Sequence, residues 1–221
     1  MIRTRGLSLA VAGFLLGVST MAQAEIIRLP PADTEGSLPL EQAIARRRSV
    51  RSFDEKGLSE QQLGQLLWAG QGITAGNEGR SFRAAPSAGA LYPMELYAVT
   101  PEGVFHYLPE GHRLEVKTKE DRRQMLSRAA LGQGSVGSAP VSIVVCAVYE
   151  RVMRKYGQRG RRYTDIEAGH VAQNIHLQAV ALGLGSVPVG AFDDAAVQRV
   201  IGVSSDEQPL YVIPVGRRLI D

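Results

Sequence analysis

Apolar positions along the chain recur with two spacings. Short alternating or continuous runs read as strands: "MELYAVT" (94–100), "GVFHYL" (103–108) and "HRLEVK" (112–117), separated by the turn signals Pro101-Glu102-Gly103 and Pro109-Glu110-Gly111. "VSIVVCAVY" (141–149) is apolar almost throughout and predicts a central strand; "SVPVGAF" (186–192) and "PLYVIPVG" (209–216) are the later strand candidates. Helical spacing appears in "PLEQAIARRRS", in "SEQQLGQLLWAGQGI" behind a capping box of Ser59 and Gln62, in "DRRQMLSRAAL" and in "DDAAVQRVIG". The longest helix is expected over "TDIEAGHVAQNIHLQAVALG", opened by a second capping box, Thr164 with Glu167, and stopped at Gly183. Thr74 to Tyr92 carries little regular pattern and reads as a long loop; Arg154 to Tyr163 reads as a solvated basic loop. The expectation is an α+β domain, with long helices flanking a small mixed or antiparallel sheet.

The start of the chain changes the picture. Residues 1–24 have a basic beginning (Arg3, Arg5), an apolar stretch from Leu7 to about Met21, and the small-x-small ending Ala22-Gln23-Ala24. That is the pattern of a secretory signal peptide, which implies export, a periplasmic location and no stable membrane anchor after cleavage. "RTRG" lacks an adjacent arginine pair, so the Sec route is favoured over Tat. Residues 25–38 read as an extended leader arm, and 39–221 as one domain. Loss of Arg3 and Arg5 takes the net charge from +3 to +1, which gives no electrostatic case for nucleic acid. The single cysteine, Cys146, sits in an apolar run and is expected to be buried. No metal-ligand pattern is present: His170 and His176 lie six apart, on different helix faces, and the histidines read as core or surface residues.

Chemistry concentrates in four segments. "GQGSVG" (132–137) has the spacing of a dinucleotide fingerprint, but a helix precedes it and a strand follows; that order is the reverse of a Rossmann turn, so it reads as a connecting loop. In "RRRSVRSF" (46–53), Arg47, Ser49 and Arg51 alternate, so an extended chain would project them to one side; this suits either a phosphate cradle or a solvated helix end. "APSAGALYP" (85–93) and "GLGSVPVG" (183–190) supply backbone with little side-chain bulk, able to lie against a flat ligand. "PVGRR" adds Arg217 after the last strand.

Together these motifs resemble the nitroreductase superfamily of flavoproteins: Arg47–Phe53, Pro86–Pro93, Ala139-Pro140, Leu182–Gly185 and Gly216-Arg217 match its pattern in order, over about residues 40–218. "PSAGALYP" is most similar to the SagB-type branch, which contains azoline-oxidising dehydrogenases. The resemblance implies a nitroreductase-like fold, bound FMN, and a homodimer with its site at the subunit interface. By that resemblance Arg47, Ser49 and Arg51 hold the phosphate and ribityl region, Arg48 contributes mainly backbone, and Arg217 closes the site. Pro86, Ser87, Ala88 and Gly89 would line the isoalloxazine from the other subunit, and Gly183, Leu184, Gly185 and Ser186 would lie near the ring. Ala90 departs from the Asn common in the family, so a side-chain amide contact to flavin is missing.

No side chain is an evident proton donor; Tyr92 and Tyr163 are candidates by chemistry alone. The implied activity is hydride transfer to or from a small-molecule substrate in two half-reactions. The electron donor stays open, since export removes the chain from cytoplasmic NAD(P)H. The alternatives are a flavin-binding protein without turnover, and a flavin-free, partner-binding member of the fold. For the basic segment 154–163 the functional alternative to a solvated loop is a mobile rim over the flavin that attracts anionic substrates.

Overall fold

A computed structural model describes residues 24–77 and 79–219. The expected signal peptide, residues 1–24, lies outside the described residues except for Ala24. Among the described residues no helix is long and apolar enough to cross a membrane.

A seven-stranded antiparallel sheet forms the middle layer. Its strands are β1 (Ile26–Arg28), β4 (Met94–Thr100), β5 (Gly103–Leu108), β6 (Arg113–Thr118), β7 (Val141–Ala147), β8 (Gly185–Ser186) and β9 (Gln208–Gly216), in the order β1-β6-β5-β4-β7-β9-β8. β7 is buried at every position because it lies between β4 and β9 and has helices on both faces, which explains its unbroken apolar run.

Period-two alternation sorts the core into two layers. Leu96, Ala98, Ile143, Val145, Ile213 and Val215 point to one face, under the helices α2 (Glu60–Gln71) and α6 (Arg159–Ala181). Tyr97, Val99, Val144, Cys146 and Val212 point to the other, under α3 (Arg123–Ala129), α4 (Gly134–Ser138) and α7 (Asp194–Ile201). Cys146 is fully buried, and burial raises its thiol pKa well above the usual value. A thiol reagent should therefore label it only after unfolding; rapid labelling of the native protein would contradict this packing.

The chain enters through the edge strand β1, paired with β6. Beyond it, the Asp33 N–H donates to Gln65 Oε1 at 2.8 Å and Gln65 Nε2 donates to the Asp33 carbonyl at 2.8 Å, fastening the arm across α2 of the same chain. The Ser59/Gln62 capping box is formed, and Gly202 ends α7 with φ 73°.

Four expectations are corrected. Thr74–Tyr92 is not one irregular loop: β2 (Ile73–Asn77) and β3 (Arg80–Arg83) pair as a hairpin, followed by a 3₁₀ turn at Ala88–Ala90. This ribbon stands away from the main sheet, so it lacks the apolar alternation a core strand shows. "GQGSVG" holds the short helix α4 rather than a plain loop. The basic segment is mostly helical: α5 (Tyr149–Tyr156) ends at Gly157, whose φ of 57° makes the turn, and α6 starts at Arg159. Consequently Thr164 and Glu167 are not a cap. They lie inside α6, where the buried Thr164 hydroxyl donates to the Gly160 carbonyl at 3.0 Å.

Candidate functional site

Three segments separated in sequence meet at the β8 edge of the sheet. The chain leaving α1 (Leu40–Arg46) runs beside β8: Ser49 bridges Ser186, and the Val50 N–H donates to the Ser186 carbonyl at 3.0 Å. Phe53 bridges Arg218, and the Asp54 N–H donates to the Arg217 carbonyl at 2.9 Å. Only glycine permits the first contact, since a Cβ on Gly185 would stand 2.6 Å from Val50 Cβ. This junction gathers Arg47, Ser49, Arg51 and Arg217 along one edge.

Arg51, Ser49 and Arg217 are exposed and Arg47 is half-buried. Among the described residues none of Arg47, Arg51 and Arg217 has a carboxylate within 4.0 Å. Arg48 turns away, donating to the carbonyls of Ala45 and Arg47 at 3.1 and 2.7 Å, so it closes the end of α1. Leu184 is buried in the core, so only its backbone could face a ligand. The Ser186 hydroxyl lies 2.5 Å from His176 Nδ1, and His176 Nε2 lies 3.1 Å from Arg47 Nη1. The donor set therefore fits a phosphate: guanidinium groups not neutralised by acids, a hydroxyl, and a backbone approach kept open by glycine.

The Pro86–Gly89 segment lies elsewhere, against α5 and the first half of α6. Gly89, Ala90 and Tyr92 all have positive φ, at 66°, 53° and 46°. For the last two residues such backbone costs about 1 kcal/mol or more each. It is held by named bonds. The Tyr92 N–H donates to Ser87 Oγ at 2.9 Å, and Arg151 donates to the Tyr92 carbonyl at 3.1 Å. The Arg83 N–H donates to the Tyr92 phenol oxygen at 3.2 Å. Arg151 is itself oriented by Glu95, which also meets His106 Nε2 at 2.8 Å. Burial alone would raise the Glu95 carboxyl; the His106 hydrogen bond and the Arg151 charge outweigh it and hold the pKa below its usual value.

Beside this strained turn opens a cleft of about 440 Å³, lined in part by Arg83, Gly89, Ala90, Tyr92 and Lys155. A Cβ on Gly89 would meet the Tyr156 hydroxyl at 2.8 Å and the Lys155 ammonium at 3.0 Å, so two proton-bearing groups border the turn. Tyr92 thus stands at the cleft with its phenol oxygen engaged by backbone. Tyr163 packs edge-on against Tyr156 at 5.3 Å. Beneath the turn, Glu167 is 2% exposed; the Ser87 hydroxyl and the Gln71 amide face its carboxylate, but neither oxygen has a hydrogen bond of good geometry among the described residues. Burial raises its pKa to about 7, against the lowering pull of the nearby Ser87 hydroxyl, Gln71 amide and Arg83 charge.

Residues 44–217 match the model of the Nitroreductase family. The chain belongs to that family. The nitroreductase-like protein MJ1384 of Methanocaldococcus jannaschii is 40% identical over 199 residues, 87% of this chain and 96% of its own length. The microcin B17-processing protein McbC of Escherichia coli is 28% identical over 166 residues; that match covers 70% of this chain and 60% of McbC. Among solved structures, a nitroreductase-like protein of Ralstonia eutropha superimposes with a TM-score of 0.77 at 31% identity, covering 89% of this chain and 90% of that one. The E. coli microcin synthetase McbBCD complex, with truncated pro-MccB17 bound, matches at a TM-score of 0.69 and 25% identity, covering 97% of this chain and 85% of the matched one.

As a nitroreductase-family member the chain is of oxidoreductase type with the fold its motifs implied. In one chain, however, the arginine edge and the Pro86–Gly89 turn share no hydrogen bond or β-bridge among the described residues. Four residues at these two places escaped the reading of the sequence. His176 looked like a core histidine, and Glu167 like a cap. Lys155 and Tyr156 were absorbed into the basic segment. For the last pair the missed signal was α5 itself, whose apolar face, with Val152 buried, points the end of the helix at the turn.

Proposed function

We propose that the chain is an exported FMN-dependent oxidoreductase acting on a small organic substrate as a homodimer. The observation that carries this reading is the edge of arginines without acidic partners among the described residues, built by the Gly185 junction. Arg47, Arg51, Arg217 and Ser49 would hold the phosphate. Arg48 would keep the loop in shape from the end of α1, and the backbone of Leu184, Gly185 and Ser186 would lie alongside. Bound FMN would supply a site that accepts and returns a hydride. The Pro86, Ser87, Ala88 and Gly89 surface, separate from the arginines within one chain, would come from a second copy and lie against the flat ring.

The chain's own residues then do three things. The held backbone at 87–92 keeps a surface free of bulk. Lys155 and Tyr156 bring exchangeable protons to its rim, where an oxidised or reduced substrate must lose or gain one. Glu110 lines the same cleft and offsets Arg83 at 3.5 Å, so Lys155 supplies the cleft's excess positive charge, which favours anionic substrates. The likeness to McbC, a microcin-processing protein, and the SagB-type motif favour heterocycle oxidation over nitro-group reduction. The pattern of residues 1–24 supports export to the periplasm, with an electron donor or acceptor other than cytoplasmic NAD(P)H.

The test is the visible spectrum of residues 25–221 with and without added FMN. A bound yellow chromophore is expected, with affinity falling about 10- to 100-fold in Arg51→Ala, the range for losing a hydrogen bond to a charged group. A colourless protein indifferent to FMN would defeat the reading. A bound flavin that no donor or substrate reduces or reoxidises would leave a flavin carrier instead.

A further inference from the structure

His176 is the least expected member of the arginine edge. It projects from the buried side of α6 and is 3% exposed. One ring nitrogen meets Arg47 Nη1 at 3.1 Å and the other meets Ser186 Oγ at 2.5 Å. A guanidinium only donates, so Nε2 must be the acceptor; the ring is then neutral, with its hydrogen on Nδ1 and donated to Ser186. Burial and the Arg47 charge both favour that state, holding the pKa down at about 4. Its two partners belong to the two segments that form the edge, the chain after α1 and strand β8.

We propose that His176 is a positioning residue for the anion site: it orients the Arg47 guanidinium from one side without neutralising it. A carboxylate in this place would also orient Arg47, but would cancel the charge the site needs. A hydrophobic residue would leave the charge and lose the orientation. Neutral imidazole does both tasks, because it accepts one N–H and leaves the guanidinium's remaining donors for a bound anion. Ser186 fixes the ring tautomer from behind, as outer hydrogen bonds fix ligating histidines elsewhere. The inference rests on the FMN reading, since it names the anion as the FMN phosphate.

The experiment compares the binding of FMN and of riboflavin, which lacks the phosphate, by flavin fluorescence at neutral pH. Wild type, His176→Asn and His176→Gln are titrated, with circular dichroism and melting curves confirming that each folds. Glutamine carries an acceptor and a donor at about the reach of Nε2; asparagine reaches only about as far as Nδ1, so it keeps Ser186 and loses Arg47. The expected result is that His176→Asn weakens FMN roughly 10- to 100-fold and leaves riboflavin within about twofold, while His176→Gln recovers most of the loss. A merely structural role would weaken both flavins together in both variants.

Equal losses for the two flavins, or unchanged FMN binding in His176→Asn, would overturn the proposal while wild-type preference for FMN kept the flavin reading intact. Failure of the wild type to bind FMN would overturn the flavin reading and this proposal with it. Should His176→Asn not fold, His176→Phe replaces it, since its ring fills the site without an acceptor: loss of the FMN preference with unaltered melting supports the proposal, and unchanged FMN binding or equal loss of both flavins overturns it.

Discussion

Glu167→Gln raises the melting temperature by roughly 5–10 °C at pH 8 and has almost no effect at pH 4. The cause is the burial of a carboxyl group, which the facing Ser87 hydroxyl, Gln71 amide and Arg83 charge offset only in part. Its pKa is raised from 4.5 to about 7, so the folded protein binds the proton more tightly than the unfolded chain does. Stability from this group is therefore fully present below about pH 4.5 and is lost as pH rises through about 7. Above that range the ionised carboxylate weakens the fold by on the order of 2–3 kcal/mol, which the neutral amide removes.

The charged group closest to the question is Arg83, which pulls the carboxyl the other way but is engaged by Gln71 Oε1 at 3.1 Å and by Glu110 at 3.5 Å. Melting curves of wild type and variant between pH 4 and pH 8.5 check the claim. They should converge at the acid end and diverge with rising pH; parallel curves would mean that Glu167 is partnered or hydrated in solution. A group that ionises near neutral pH beneath the Ser87 turn also links the order of that turn to pH, so a flavin bound there should report the same transition.

Much of the fold was legible because its signals are local. The turn-bounded apolar runs of β4, β5, β7 and β9, the Ser59 cap and the Gly202 stop each follow from signals carried by neighbouring residues. The arginine edge was legible for a related reason: Arg47, Ser49 and Arg51 alternate within five residues, and glycine marks the close approach at residue 185. What stayed hidden depends on contacts between distant segments. Thr164 and Glu167 have the spacing of a cap, and only packing of α5 against Gly160, where a Cβ would sit 2.9 Å from the Met153 backbone nitrogen, shows that the helix begins a turn earlier. His176 becomes informative only when residues 47 and 186 are placed beside it, 129 and 10 positions away. The hairpin of β2 and β3 was missed because it buries no face of its own in the core.

Gly185→Ala should be the most damaging small substitution at the edge. Its new methyl would lie 2.6 Å from Val50 Cβ and 2.7 Å from both Val50 methyls. Real Cβ atoms do not approach so closely, so the chain after α1 must move off β8. That movement breaks the Val50 N–H bond to Ser186 and the Ser49–Ser186 bridge, and carries Arg47 and Arg51 away from Arg217. Overpacking of this kind costs about 1–3 kcal/mol, a fall of roughly 2–10 °C in melting temperature, and FMN affinity should fall at least about tenfold with it. The nature of the clash dictates the rescue. Val50→Ala removes the methyls but leaves the Cβ in place, so it should restore little; Val50→Gly removes the Cβ and should restore FMN binding in the double variant more than melting temperature, since an added glycine loosens the unfolded chain. Gly169→Ala, on the exposed side of α6 with nothing within 4 Å of its new Cβ, is the control and should be neutral or slightly stabilising. If Gly185→Ala leaves both readouts at wild-type values, the loop and β8 are not in contact in solution. The phosphate site would then have to be built some other way.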